Sequence, residues 1–304
     1  MINCEYLNEQ AALIYGEYER IKESSALDEE DFLLQNESYS DLKYKLRSCV
    51  FDLKKAAFFN EKDKIEELEK ERVKLTGELE KLKKTIPKFS GGYVPKCPVC
   101  NDTGFVDGFR CNCYMKTLNS LAYKMLGVRE RRLYRFSDNA FGDVKTLKYV
   151  NKFSDYCKNF YSGSKNLLLL GPRGTGKTFL AECVASALNE SGKNALFINA
   201  FEFNDVFIRT KGLSFKDQLV IKEILTGCDL LVIDDLGAAA VLNKITAENL
   251  LMIISERRAA EKPFIVTTNL DLDEIADRFG ERVFSRLCAR STAKINFDGK
   301  DLRL

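Results

Sequence analysis

The stretch Leu167-Leu168-Leu169-Leu170-Gly171-Pro172-Arg173-Gly174-Thr175-Gly176-Lys177-Thr178 decides the fold. Four apolar residues run into a glycine-rich turn ending in Lys-Thr, and a helix-forming segment at 179–188 follows. Strand, G-x-x-x-x-G-K-[ST] loop and helix, in that order, make a phosphate cradle. The glycines let the backbone curl so that amide N–H groups converge, and the helix N-terminus adds partial positive charge there. Gly171, Pro172, Arg173, Gly174, Thr175 and Gly176 are the expected cradle. Lys177 is expected to reach the β- and γ-phosphates of ATP, and the Thr178 hydroxyl to ligate Mg²⁺. The competing reading, a glycine-rich turn with no ligand, does not account for the strand before it and the helix after it.

Moving outward, 230–233 is an apolar strand that ends in Asp234-Asp235. Unpaired buried charge is costly, so adjacent acids at the tip of such a strand imply a use. Asp234 suits the Mg²⁺ shell and Asp235 suits polarising the attacking water. The strand 264–268 ends in Asn269. In open parallel sheets ligands sit at the carboxyl ends of strands, which places Asn269 near the γ-phosphate. The segments 166–170, 195–199, 230–233, 264–268 and 293–297 are short buried strands, the first four separated by helix-length segments. That alternation is a parallel α/β sheet.

Toward the N-terminus the character changes. Residues 1–92 are helical and highly charged. Ile65, Leu68, Leu75, Leu79, Leu82 and Ile86 fall near heptad a and d positions, with Arg72 weakening the seam. A helical hairpin and an intermolecular coiled coil both fit. Ser90-Gly91-Gly92 is a hinge. Within 93–116, Cys97-Pro98-Val99-Cys100 and Cys111-Asn112-Cys113 bring two thiol pairs together around a glycine-containing loop. The spacing suits a Cys₄ structural zinc site. A disulfide pair and an iron–sulfur cluster are the rivals, the latter with the wrong run of cysteines. Residues 117–135 are expected as a basic linker, with Lys124, Arg129, Arg131, Arg132 and Arg135 against Glu130.

Composition bounds the function. The 304-residue chain contains no histidine, which excludes His-based catalysis and leaves zinc only thiolate or carboxylate ligands. Its formal net charge of +2 makes no global field for nucleic acid. Six further cysteines (Cys4, Cys49, Cys157, Cys183, Cys228 and Cys288) stand singly, as core residues of a reducing compartment do. No apolar run reaches membrane-spanning length, and the N-terminus lacks a signal pattern, so a cytoplasmic location with no membrane partner is expected.

From about residue 135 to 304 the chain resembles the AAA+ domain of bacterial replicative helicase loaders of the DnaC/DnaI type, and the related transposition helper ATPase IstB. The resemblance rests on residues 171–178, on Asp234-Asp235-Leu236-Gly237, on Thr267-Thr268-Asn269, and on Gly280-Glu281-Arg282-Val283-Phe284-Ser285-Arg286-Leu287. It implies an AAA+ P-loop NTPase at 136–304, with a five-stranded parallel sheet and no C-terminal lid domain. It makes Asn269 the sensor 1 residue, Arg286 the finger acting on a neighbour's ATP, with Arg282 as its alternate, and Arg303 the sensor 2 residue. Self-association follows from a finger in trans. It further implies ATP hydrolysis, a DnaB-type hexameric helicase and single-stranded DNA as partners, with 1–92 as the helicase-binding arm. The segment 201–226 matches the family's DNA-contacting insertion, where Phe203, Phe207, Arg209 and Lys211 combine rings and charge; a core-packing amphipathic helix with a solvated edge is the rival reading of each. An IstB-like transposition or phage helper and a non-hydrolytic ATP switch are the alternative functions.

Overall fold

The computed structural model describes residues 4–138, 144–237 and 244–298. The chain divides into two compact units, Tyr15–Thr103 in one and the remaining described residues in the other. Helix α1 (Glu5–Leu34) enters the first unit, followed there by α2 (Glu37–Phe58) and α3 (Lys62–Lys83). Asn36 caps α2 by accepting the Tyr39 N–H. A short turn at 59–61 then reverses the chain, so α2 and α3 pair as a helical hairpin. Tyr39, Cys49 and Ala56 of α2 and Leu75 of α3 are its buried residues.

The second unit includes the start of α1, to Ile14, and resumes with a two-stranded hairpin, β1 (Phe105–Val106) and β2 (Phe109–Arg110). Its turn residues Asp107 and Gly108 both have positive φ, 50° and 80°, as a type I′ hairpin turn requires. Helix α4 (Asn112–Leu126) follows. The linker expected at 117–135 is therefore corrected over 117–126, which is helix, while 127–135 has neither helix nor strand. Met115, Leu118, Ala122 and Leu126 recur at helical spacing and are buried, Lys124 on the same helix is exposed, and Arg129, Arg131, Arg132 and Arg135 follow the helix. Counting charges along the segment hides that stripe.

The rest alternates as expected: α5 (Val144–Lys158), β3 (Asn166–Leu170), α6 (Lys177–Glu190), β4 (Ala195–Asn199), α7 (Ala200–Thr210), α8 (Phe215–Gly227), β5 (Leu230–Leu236), α9 (Lys244–Ala259), β6 (Phe264–Thr268), α10 (Leu272–Phe279), α11 (Glu281–Leu287) and β7 (Thr292–Asn296). The five long strands are all parallel, in the order β4-β5-β6-β3-β7. This is the AAA+ P-loop sheet. Every residue of β3 and β6 is buried, because helices cover both faces of a parallel sheet. Phe153, Leu180 and Val184 pack on one face, against Leu167, Phe197 and Ile265 of the strands. β4 lies at one edge. Its Phe197 N–H donates to the Tyr123 hydroxyl at 2.8 Å, and the same hydroxyl donates to Phe197 O at 3.1 Å. Helix α4 thus closes backbone groups that an edge strand otherwise leaves open. Buried Arg257 of α9 ties the entry to β5 by donating to the carbonyls of Leu225, Cys228 and Pro263. Among the described residues no helix is long and apolar enough to cross a membrane.

Candidate nucleotide and metal sites

The strand order sets the nucleotide site. β6 runs between the P-loop strand β3 and the Asp-tipped strand β5, so all three carboxyl ends meet at one edge of the sheet. Gly171 leaves β3 with φ 139°, and a Cβ there would lie 2.2 Å from Phe297 O, so no other residue fits. Gly174 and Gly176 also have positive φ, and α6 begins at Lys177. Lys177 is 7% exposed, and its ammonium donates to the carbonyls of Gly171 and Pro172, at 2.7 Å each. Thr175 Oγ1 donates to Pro172 O, which closes the loop on itself, and Arg173 is exposed on its outside.

Across the sheet edge, Thr178 Oγ1 donates to Asp234 at 3.0 and 3.2 Å to its two carboxylate oxygens. The two expected Mg²⁺ ligands therefore lie side by side. Burial pushes the Asp234 carboxyl above the ordinary carboxylate range, and neighbouring Asp235 pushes the same way; donors on Thr267 and Thr178, and Arg131, oppose them. Burial likewise raises Glu182 on α6, which accepts the Tyr134 N–H. Asp235 is half-buried with φ 55°. Asn269 is half-buried too. It borders a cleft of about 550 Å³ together with Gly171, Pro172, Asp271 and Asn296. Its Oδ1 is buried and has no hydrogen-bond partner among the described residues. A cationic amine, a hydroxyl–carboxylate pair and an orphaned amide oxygen around one glycine cradle fit a magnesium-bound nucleoside triphosphate.

The remaining expected site residues fall elsewhere. Arg286 lies in α11, where Nη1 donates to Arg282 O, while Arg258 of α9 donates to Arg286 O at 2.7 Å. Arg282 is exposed. Arg303 lies outside the described residues. The DNA candidates need correction. Phe203 and Phe207 are 1% and 9% exposed and meet edge to face with centroids 5.1 Å apart, so their rings fill the core. The exposed rings of this region are Phe201 on α7 and Phe215 on α8, at 69% and 75%. The phase of α7 decides this, and composition alone does not report phase. Arg209 pairs with Asp205 and donates to Gly127 O, tying α7 to the end of α4. Lys211 is exposed.

The four clustered cysteines come together. The sulfurs of Cys97, Cys100, Cys111 and Cys113 all lie within 4.8 Å of one another. A tetrahedral Zn–S₄ site has sulfurs roughly 3.8 Å apart, from Zn–S bonds of about 2.3 Å, so this set could hold a metal. Asn101, Asp102 and Gly104 have positive φ, which turns the chain back between the pairs. Buried Asp102 accepts the N–H groups of Lys96 and Cys97 at 2.7 Å each, and the Tyr93 hydroxyl. Burial acts to raise its pKa, but these donors outweigh it and hold the carboxyl below its ordinary value. The sequence reading missed Asp102, although an acid two residues after the second cysteine of a Cys-x-x-Cys turn is visible there.

Residues 129–290 match the model of a family described as IstB-like ATP binding protein, over more than half of the chain. The chain belongs to this family. Among curated relatives of this IstB-like chain, "Replicative helicase loader DnaC" of Escherichia coli (strain K12) is 30% identical over 145 residues, which are 46% of this chain and 57% of that protein. "Replicative helicase loader DnaI" of Bacillus subtilis (strain 168) is 23% identical over 197 residues, 62% of each chain. The chain thus spans less than two thirds of the length of these relatives. Among solved structures, the crystal structure of the DnaC helicase loader superposes with TM-score 0.46 at 22% identity, covering 54% of this chain and 96% of that one.

Proposed function

We propose that this IstB-like chain is an ATP-dependent loader that delivers a DnaB-type hexameric helicase onto single-stranded DNA and is released by ATP hydrolysis. The observation that carries the reading is the 30% identity to relatives named replicative helicase loaders. The convergence of Lys177, Thr178 and Asp234 supports its ATP-dependent part. In this reading Lys177 turns from the carbonyls of Gly171 and Pro172 to the β- and γ-phosphate oxygens. Thr178 and Asp234 hold Mg²⁺, which supplies charge neutralisation on the phosphates when bound. Asp235 polarises the attacking water and Asn269 orients it. Arg286 reaches the ATP of a neighbouring copy, where an always-charged, forked guanidinium suits phosphate oxygens. Arg303 serves as sensor 2. The chain thereby assembles through its own nucleotide sites. Cys97, Cys100, Cys111 and Cys113 hold a structural zinc, and residues 1–92 form the helicase-binding arm. DNA contact falls to Phe201, Lys211 and Phe215, whose exposed positions suit stacking and phosphate contact.

Co-purification with the replicative helicase tests this, with and without ATP and single-stranded DNA. Wild type is expected to retain the helicase when ATP is present, and Lys177→Ala to lose both nucleotide and ATP-dependent retention. Failure of wild type to retain the helicase in every nucleotide state overturns the loader reading. The family's description favours a second reading, an IstB-like transposition or phage helper. Retention of a transposase in place of the helicase selects it. Equal phosphate release by wild type and Asp235→Asn, with helicase and DNA present, would leave a non-hydrolytic switch.

A further inference from the structure

Strands β5 and β6 part register at one point. Ile233 pairs with Val266 and Leu236 with Thr268, so Asp234 and Asp235 together face the single residue Thr267. Two residues opposite one make a β-bulge, the device by which a sheet re-aims a side chain beside a functional site. Within it Asp235 adopts φ 55°, a left-handed backbone that non-glycine residues rarely take.

One hydroxyl spans this bulge. Thr267 is 1% exposed. Its Oγ1 accepts the Asp235 N–H at 2.8 Å and donates to Asp234 Oδ1 at 2.6 Å. The direction of both bonds is forced. A backbone N–H can only donate, and an ionised carboxylate can only accept, so the single hydroxyl proton goes to Asp234. Thr178, the other donor to Asp234, comes from the P-loop helix and is exposed. Thr267 therefore supplies the contact that fixes Asp234 from within the sheet. In the motif Thr267-Thr268-Asn269 only Asn269 carries an expected role from the sequence.

We infer that Thr267 is a positioning residue of the nucleotide site, its hydroxyl pinning the bulge so that Asp234 offers a fixed carboxylate to the cation while Asp235 is held beside it. The inference rests on the magnesium and water roles proposed for the two aspartates. Valine at 267 keeps the shape and removes both bonds. Serine keeps both bonds and loses one methyl group.

Two measurements on the full chain test it. The first needs no nucleotide: exchange of the Asp235 amide hydrogen, followed by NMR. Exchange is expected to quicken about tenfold or more in Thr267→Val, and to stay near wild type in Thr267→Ser. The second is the magnesium concentration that half-saturates the metal-dependent gain in affinity for a fluorescent ATP analogue. Loss of a hydrogen bond to a charged group predicts a rise of about tenfold in Thr267→Val, restored by Thr267→Ser, with metal-free nucleotide affinity unchanged. A merely structural residue would lower the melting temperature of the valine variant and leave its magnesium dependence alone; that result overturns the inference. If the valine variant does not fold, Thr267→Cys, of similar volume and with a weak donor, carries the same comparison. Absence of metal-dependent nucleotide binding in wild type would instead overturn the proposed function, and the amide exchange still decides whether Thr267 pins the bulge.

Discussion

Strands β3 and β6 of the nucleotide unit bury every residue. Helices α2 and α3 of the other unit bury Tyr39, Cys49, Ala56 and Leu75 and leave Tyr44, Phe51 and Phe58 at 77%, 68% and 84% exposed. The two regions differ in their supports. In the sheet, burial on both faces fixes each strand, so Asp234 at the tip of β5 is held within hydrogen-bond distance of Thr178 on α6. In the hairpin a single seam is buried, and the opposite face meets solvent. A precise site needs the first kind of support.

Three experiments break or sharpen that contrast. The largest effect compares two phenylalanines. Phe203→Ala empties a fully buried position and is expected to cost about 3–5 kcal/mol of stability, whereas Phe51→Ala on the exposed face of α2 should cost under about 0.5 kcal/mol. Denaturant unfolding of both variants checks this, and similar losses would remove the distinction between the regions. Next, Tyr123→Phe removes the one hydroxyl that satisfies both Phe197 N–H and Phe197 O at the β4 edge. A loss of roughly 1–3 kcal/mol is expected from the groups left unpaired. An unchanged melting temperature would mean that β4 does not depend on α4.

The smallest effect is a pH dependence. Burial raises the Asp234 pKa, so the folded chain takes up this proton at a higher pH than the unfolded chain does. The sign follows from linkage: as pH falls from neutral toward the ordinary carboxylate range, proton uptake by Asp234 makes its contribution to folding more favourable. Magnesium requires the ionised form, so the metal-dependent gain in nucleotide affinity should shrink over the same window, by less than tenfold per pH unit. Titration of nucleotide affinity with and without Mg²⁺ reads this directly. A gain that stays constant into the acid range would show that Asp234 is not the titrating ligand.

Where the sequence was legible, the determinants were local. The P-loop was readable because only glycine tolerates the φ of 139° at Gly171, and because Lys and Thr must follow at fixed spacing. The strands were readable as uninterrupted apolar runs. The cysteine cluster was readable because 17 positions hold all four sulfurs. Residues 117–126 were misread because the charges at 129–135 drew them into one basic segment and masked the stripe of Leu118, Ala122 and Leu126. Phe203 and Phe207 were misassigned to DNA because an aromatic residue on a helix looks alike whether it faces the core or solvent.

The amino-acid sequence on its own determined the phosphate loop, the acidic strand tip, the thiol set and the alternation that makes a parallel sheet, since each depends on residue type and short spacing. Only the tertiary structure decided which strand lies between the P-loop and the two aspartates, that a bulge sets those aspartates opposite Thr267, that α4 seals the β4 edge, and which rings of α7 reach solvent. These depend on strand order, register and helix phase, which arise from contacts between residues distant in the chain.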